Sequence, residues 1–331
     1  RNSYNMRIRE LDALRGLAAL AVVFYHYTSQ YDKIFGHNEV LSWQLPYGSF
    51  GVQLFFMISG FVIFLTLDRV TKPMDFVISR SSRLYPAYWS AIIITTIIVW
   101  SFGLQGEERT WVTTLANFSM IQGVFDYPDV DGVYWTLLYE LIFYVIMFLF
   151  FKWGNFKKIH FLLLAGVLLN IANSATDAIP WKLQLFLLLK YNHLFAAGIL
   201  YYLIKKEGMK KQHYLLLLLC LAAHWLQGNL ISSIIVSFFF AIFFLFIYGK
   251  LAFIAIKPLI WLGSISYSLY LLHQNIGYII IREVEDQGFS ANTAIFSALC
   301  VSLLLAHIIM IKIERPSQSW IKSKYKASSF S

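Results

Sequence analysis

Two ionisable residues lie inside long apolar stretches of this sequence, where a charge is costly. His26 ends the apolar run LAALAVVFY, and Glu140 lies within YWTLLYELIFY. Counted along helices from one membrane face, the two side chains fall at similar depths. A histidine oriented by a carboxylate is a common general base in acyl transfer. The pair predicts a site where His26 takes a hydroxyl proton or transiently takes the acyl group itself, and where Glu140 orients the imidazole and stabilises its protonated form.

Three arginines stand toward the opposite end of the predicted helices. Arg15 precedes His26 by eleven residues, about 16 Å along an α-helix, and Arg80 and Arg83 directly precede another apolar stretch. The planar guanidinium binds phosphate through paired hydrogen bonds. A ligand with phosphates and an extended arm of about 15–20 Å would join the arginines to His26. Acyl-coenzyme A has this form, so the arrangement predicts coenzyme A binding with the thioester near His26.

Each of these residues also has a structural interpretation, and the sequence leaves both open. Arg15 can pair with Asp12 three residues earlier on the same helix. The other two arginines can anchor the chain at the membrane surface or bind lipid head groups. The histidine can be an interhelical hydrogen-bonding residue, and Glu140 can be the counter-ion of Lys190.

Composition defines the class of protein. The 331 residues are 58% hydrophobic and 14% charged, whereas soluble domains are about 45–50% apolar and about 25% charged. These values exclude an ordinary soluble globule, a disordered chain and a collagen-like fibre. The net charge of +9 is typical of cytoplasmic loops rich in Lys and Arg, so we predict no nucleic-acid partner. No residue spacing indicates a metal site, a P-loop or a glycine-rich nucleotide motif.

We therefore predict an all-α polytopic transmembrane bundle, a single membrane domain over residues 1–331. About ten spans are expected, at 11–28, 48–67, 84–102, 134–151, 159–174, 183–204, 213–227, 230–249, 259–281 and 291–313. Segment 111–124 is apolar but short, which favours a re-entrant or partial helix or a loop. Most Lys and Arg residues fall on one face when the N-terminus is inside, so both termini are predicted to be cytoplasmic.

Several motifs occur in order along these predicted spans. They are LDALRGLAALAVVFYHY with Arg15 and His26, GVQLFFMISGFVI, SRSSRLYPAYW with Arg80 and Arg83, YWTLLYELIFY with Trp135 and Glu140, GSISYSLYLLHQNI with His273, and a closing ERP. In this order and on this background, the chain resembles the acyltransferase 3 family of integral membrane acyltransferases over nearly its whole length.

The resemblance implies a function and a set of partners. The donor would be cytoplasmic acyl-CoA, usually acetyl-CoA, and the acceptor a hydroxyl of a saccharide or glycan, such as a cell-surface polysaccharide or its precursor. The protein would lie among lipids of a bacterial inner or plasma membrane and would need no metal. Arg15, Arg80 and Arg83 would bind the donor, and the substrate path would be lined by Trp135, His273, Tyr139 and Ser59.

One other class of function fits the same residues. Intramembrane His and Glu side chains also form proton relays, so a transporter or flippase using His26 and Glu140 is the alternative. The sequence shows no internal repeat, and a proton relay does not explain the arginine pair. The sequence leaves the oligomeric state open.

Overall fold

The computed structural model describes residues 8–153 and 158–328, and within these ranges the chain contains helices and no β-strand. The α-helices are α1 (Arg9–Tyr25), α2 (Tyr31–Ile34), α3 (Gly51–Leu67), α4 (Pro73–Phe102), α5 (Trp111–Asn117), α6 (Trp135–Trp153), α7 (Ile159–Thr176), α8 (Trp181–Phe186), α9 (Asn192–Glu207), α10 (Lys211–Gln227), α11 (Leu230–Ile247), α12 (Lys257–Asp286), α13 (Ala291–Ile309) and α14 (Arg315–Ser328). The predicted all-α class is confirmed. Residues 1–7, 154–157 and 329–331 of the predicted domain lie outside the described residues.

Six helical segments of the described chain are long and apolar enough to cross a membrane. They are Pro46–Leu67, Pro73–Phe102, Gly132–Trp153, Ile159–Thr176, Leu230–Ile247 and Ala291–Ser328. The predicted number of about ten spans is therefore not confirmed. A spanning helix needs roughly 20 apolar residues, whereas α1 and α12 contain several polar and charged side chains.

The span predicted over 183–204 is wrong as a continuous helix. Helix α8 ends at Phe186 and α9 begins at Asn192. Between them Leu188 has a φ of 54°, a left-handed conformation that a right-handed helix cannot include. The Asn170 side chain donates to the Leu189 carbonyl, which helps to satisfy the backbone at the break. The run LFLLLK is uniformly apolar up to its lysine, so the hydrophobic pattern does not reveal this turn.

Two other boundaries refine the predicted elements. Helix α4 begins at Pro73, eleven residues before the predicted start, because a proline is well accommodated in a first helical turn. Segment 111–124 contains α5, capped by the Thr110 side chain, and a 3₁₀ turn at Gln122–Phe125. The prediction of a partial helix in this segment is confirmed.

The chain divides into two compact units. Unit 1 contains the described part of Arg1–Leu11 together with Val52–Phe76 and Tyr139–Ile256, and unit 2 contains Asp12–Gly51, Val77–Leu138 and Lys257–Ser331 as far as it is described. A single-domain organisation over 1–331 stays a prediction.

Buried polar side chains link the helices of unit 1. His193 on α9 lies 3.0 Å from His224 on α10, whose other ring nitrogen lies 2.8 Å from the Ser232 hydroxyl on α11. Asn170 on α7 lies 3.3 Å from His193. Such interhelical hydrogen bonds hold apolar helices in register, where hydrophobic contact alone gives little preference.

Unit 2 brings α1, α12 and α13 into close contact. A Cβ atom on Gly16 would lie 2.7 Å from the backbone nitrogen of Gly263, so the α1 and α12 backbones touch at this crossing. Just beyond α1, the Tyr27 ring packs against Gly277 of α12, where a Cβ would overlap the ring. The Tyr27 hydroxyl donates to the His273 carbonyl at 2.8 Å and accepts from Ser302 on α13 at 2.7 Å. These contacts fix the axial position of α1 relative to α12.

Candidate active site

Two histidines meet in unit 2 at the end of α1. Nδ1 of His26 lies 3.0 Å from Nε2 of His273 on α12, and the same Nδ1 lies 2.9 Å from the Val22 carbonyl oxygen. His273 is completely buried. His26 is the first residue of a π-helical turn, His26–Gln30, and such turns occur often at functional sites because they rotate side chains off the regular helical face. The structure therefore joins two residues that were predicted for separate roles.

The hydrogen bonds assign the tautomer of each ring. Nδ1 of His273 faces the carbonyl oxygens of Leu269 and Tyr270 at 3.1 and 2.9 Å, so this nitrogen carries the proton and Nε2 accepts. Nδ1 of His26 then donates, to His273 and to the Val22 carbonyl. In a neutral imidazole the remaining Nε2 of His26 is the acceptor. This is the nitrogen that a general base requires.

Glu140 lies in unit 1 with two hydroxyl partners. The Ser59 hydroxyl donates to its carboxylate at 3.2 Å, and the Tyr144 hydroxyl donates to the same oxygen. Ser59, predicted to line the substrate path, thus contacts Glu140, predicted to be catalytic, within unit 1. The pairing of Glu140 with His26 stays a prediction, as does the alternative pairing with Lys190, whose ammonium lies 5.4 Å from the Tyr191 ring centre.

Two residues that were predicted to line the substrate path differ in their surroundings. Tyr139, in unit 1, packs edge-on against Tyr191 with 5.0 Å between ring centres and lies 6.3 Å from the Phe56 ring. Trp135, in unit 2, is the first residue of α6 and is 38% exposed. This exposure fits either a residue at the membrane interface or a contact surface for substrate. Both roles stay predictions.

A basic cluster forms elsewhere in unit 2, where α4 and α14 bring four cationic side chains together. Lys322 of α14 is half-buried and lies within electrostatic range of Arg80, Arg83 and Lys326. The four positive charges repel each other, and a multiply charged anion such as a phosphate group would relieve this repulsion. The lysines were not predicted as site residues. Their only signal in the sequence was membership of a basic C-terminal stretch.

A single carboxylate lies beside this basic cluster. Glu314 interacts electrostatically with Arg83, Arg315 and Arg15, and its carboxylate accepts from the Ser268 hydroxyl of α12 at 3.0 Å. Arg15 also pairs with Asp12 at 3.5 Å, so the structural interpretation of that pair is present in the molecule. The two roles are compatible, because a guanidinium has five N–H donors.

Buried carboxyl groups lie in the connection before α6. Asp131 is fully buried and accepts from the backbone N–H groups of Asn275 and Val133 at 3.1 and 3.3 Å. Burial raises the pKa of Asp131 to about 7, against the opposing effect of these two donors. Burial likewise raises the pKa of Asp129 to about 6, although Gln122 and Arg109 oppose the change. Both groups gain affinity for a proton when the chain folds.

The stability of the purified protein should therefore fall as the pH rises. A group whose pKa is raised by folding stabilises the fold at low pH and loses that contribution as the pH passes its folded value, here between about pH 4 and about pH 7. Thermal unfolding in nanodiscs should show a lower midpoint at pH 8 than at pH 5. Asp131→Asn should flatten this dependence, and the exposed-loop variant Asp126→Asn should not. An unchanged slope in Asp131→Asn would contradict the assignment.

Comparison with known proteins identifies the class. The sequence profile of an acyltransferase domain, that of the acyltransferase 3 family, matches residues 8–311. The chain belongs to this family. No solved structure is significantly similar to it, and no group of three or more potential metal-binding side chains occurs among the described residues.

Three curated relatives show what the chain is similar to. Nodulation protein 10 of Rhizobium leguminosarum bv. viciae is 26% identical over 44% of this chain and 45% of its own. The exopolysaccharide production protein ExoZ of Rhizobium meliloti is 31% identical over 30% of this chain and 33% of its own. The peptidoglycan O-acetyltransferase OatA of Listeria monocytogenes is 26% identical over 48% of this chain and 27% of its own. The chain thus spans less than half the length of each of these relatives.

Proposed function

We propose that this membrane acyltransferase moves an acetyl group from acetyl-CoA to a saccharide hydroxyl. The observation that carries the proposal is the tautomer of His26, whose Nε2 is the acceptor while Nδ1 is held by His273 and Val22. The acetyl group and the saccharide acceptor are supported by the similarity of the chain to a peptidoglycan O-acetyltransferase and an exopolysaccharide production protein.

In this proposal the donor extends from the basic cluster of unit 2 to His26. The phosphates of coenzyme A bind the basic cluster of Arg80, Arg83, Lys322 and Lys326, with Arg15 nearby. The extended arm then reaches along α1, and the eleven residues from Arg15 to His26 correspond to about 16 Å of helix. The thioester carbonyl arrives beside the imidazole, within reach of a hydroxyl bound from the other end.

The reaction follows from this placement. The acceptor oxygen attacks the thioester carbonyl carbon while its proton moves to Nε2 of His26. The carbon–sulfur bond then breaks, the acetyl ester remains on the saccharide, and the coenzyme A sulfur takes the proton back from the imidazolium. The Val22 carbonyl and His273 stabilise the imidazolium because both accept from Nδ1. A route in which His26 itself takes the acetyl group transiently uses the same residues.

The remaining site residues have supporting roles in this proposal. Glu140 keeps the catalytic role that the sequence predicts for it, and Trp135 and Tyr139 keep their predicted places along the substrate path. Ser59 and Tyr144 donate hydrogen bonds to the Glu140 carboxylate. We propose that the protein lies in a bacterial inner or plasma membrane with both termini cytoplasmic. The basic cluster can then bind cytoplasmic acetyl-CoA.

Binding of the donor tests the proposal. Calorimetry on the protein in nanodiscs should show saturable binding of acetyl-CoA, and Arg80→Ala with Arg83→Ala should weaken it by at least about 100-fold. Each hydrogen bond to a charged group contributes about 1.5–3 kcal/mol, so two guanidinium contacts account for this loss. Lys250→Ala with Lys257→Ala, which removes two cations elsewhere, should bind normally.

Two results would overturn the proposal. Absence of acetyl-CoA binding by folded wild-type protein would remove the donor and favour the alternative, a transporter or flippase with a proton relay. Equal weakening by the double arginine and the double lysine variants would show a general effect of charge and no phosphate site.

A further inference from the structure

A cavity lies in unit 2, toward the C-terminal end of α12. Its volume is about 340 Å³, near the lower end of the range for small-ligand sites, roughly 300–1,000 Å³. Arg282 at its rim is fourteen residues beyond Ser268, whose hydroxyl bonds Glu314 beside the basic cluster, so about 21 Å of helix separates the two levels. The residues that matter to the argument are Tyr31, Phe35, Asn38, Tyr278, Arg282 and Asp286.

One wall of the cavity is aromatic. The Tyr278 ring lies 5.5 Å from the Tyr31 ring and 5.7 Å from the Phe35 ring, centre to centre. Tyr278 is 1% exposed, and its hydroxyl has no hydrogen-bond partner within the described part of the chain. Tyr31 and Tyr278 are almost fully buried, whereas Phe35 is partly exposed. Phe35 therefore offers the apolar surface against which one face of a hydroxylated ring can pack.

The rim of the cavity is polar, and among its described residues the positive charge of Arg282 is paired. The Arg282 guanidinium is held by the Gly103 and Phe102 carbonyls at 2.8 and 2.9 Å and by Glu283 at 2.8 Å. Asp286 and Asn38 are exposed at the same rim and supply a carboxylate and an amide for hydroxyl groups. A negatively charged ligand would meet Asp286 without a free cation to oppose it, so the rim favours a neutral one.

A buried histidine–glutamate contact makes the cavity rigid. Nδ1 of His37 lies 2.6 Å from the Glu285 carboxylate oxygen, and Nε2 lies 3.0 Å from the Tyr27 carbonyl oxygen. Both ring nitrogens face acceptors, so the loop that contains Phe35 and Asn38 is tied to α12 and to the residue that follows His26. A site held before the ligand arrives loses less conformational entropy on binding.

One wall of the cavity lies close to the catalytic histidine. The ring centre of Tyr278 lies 6.4 Å from that of His26, and Tyr278 follows His273 by five residues, about 7.5 Å along α12. Tyr278 therefore belongs both to the cavity wall and to the surroundings of His26. The cavity and the basic cluster therefore lie toward opposite ends of α12.

We propose that this cavity is the acceptor site and binds one neutral pyranose unit of the saccharide, packed against the Phe35 ring and hydrogen-bonded to Asp286 and Asn38. The identification of this sugar as the acceptor of the acetyl group rests on the proposed function. The binding of a sugar at this place is a separate claim, and it is tested separately.

Saturation-transfer-difference NMR on the protein in nanodiscs tests it directly. The probes are the methyl glycosides of glucose, galactose, rhamnose and N-acetylglucosamine. At least one should receive magnetisation from the wild-type protein, most strongly at the protons of its apolar face. Phe35→Ala and Asp286→Ala should each weaken binding about tenfold, through loss of stacking and of a hydrogen-bonding carboxylate. Tyr47→Ala, a half-exposed tyrosine that does not line the cavity, should bind like wild type.

Acetyl-CoA calorimetry on the same preparations shows that each variant is folded and separates the two claims. Glycoside signals absent from a wild-type protein that binds acetyl-CoA would overturn the acceptor site and leave the proposed function standing. Signals unchanged in Asp286→Ala, an exposed substitution that leaves the core intact, would also overturn it. Glycoside binding that depends on Asp286 in a protein without acetyl-CoA binding would support the sugar site and refute the acyltransferase mechanism.

Discussion

His26→Ala is expected to lower the rate of acetyl transfer at least about 100-fold while acetyl-CoA binding is retained. A positioned general base contributes about 10²–10⁴-fold, and the acceptor nitrogen of His273 faces Nδ1 of His26, whereas the proposed base is Nε2. The imidazole does not contact the basic cluster, so its removal leaves the phosphate contacts of the donor unchanged. The rate is measured as transfer from radiolabelled acetyl-CoA to a glycoside that binds the wild-type protein.

The matched control is His307→Ala on α13. His307 lies 3.3 Å from the Trp261 indole nitrogen, away from the His26–His273 pair, so its removal should leave the rate within about twofold of wild type, in keeping with a small surface effect. A His26→Ala protein that is folded and keeps more than about a tenth of wild-type turnover would contradict the base role.

Gly263→Ala is expected to disrupt the packing of α1 against α12 and to abolish measurable transfer. The added Cβ would overlap the backbone carbonyl oxygen of Asp12, and backbone atoms cannot move aside as a flexible side chain can. Overpacking a close contact costs about 1–3 kcal/mol or more. The helices would separate and break the 3.0 Å contact of His26 with His273, and a misplacement of about 1 Å can cost about 100-fold in rate.

Gly166→Ala on α7 is the control for this substitution. Its Cβ would meet the Asn192 side-chain nitrogen at 3.6 Å, an ordinary contact, and alanine is the better helix former. This variant should unfold at the wild-type temperature or slightly above it. Thermal unfolding and acetyl transfer are measured on both proteins. Wild-type stability and activity in Gly263→Ala would show that the α1–α12 crossing does not position the site.

The sequence by itself determined the helical class, because its apolar runs can satisfy their backbone groups in a membrane only as helices. It also determined which residues are unusual: an imidazole and a carboxylate in apolar runs, and arginines before a span. Helical spacing gives the depth of each residue along its own helix, so the level of His26 relative to Arg15 followed from counting.

Only the tertiary structure decided which side chains meet, because depth along a helix does not give its rotation or its neighbours. His273 contacts His26 across 247 residues of sequence because Gly16 and Gly263 let two backbones touch and a π turn rotates the histidine. Lys322 joins Arg80 through the placement of α14, which no periodicity predicts. His37 is an unremarkable loop residue in the sequence, yet its two hydrogen bonds hold the wall of a cavity. Each of these contacts depends on packing between segments that are distant in sequence, and the local sequence pattern contains no information about such packing.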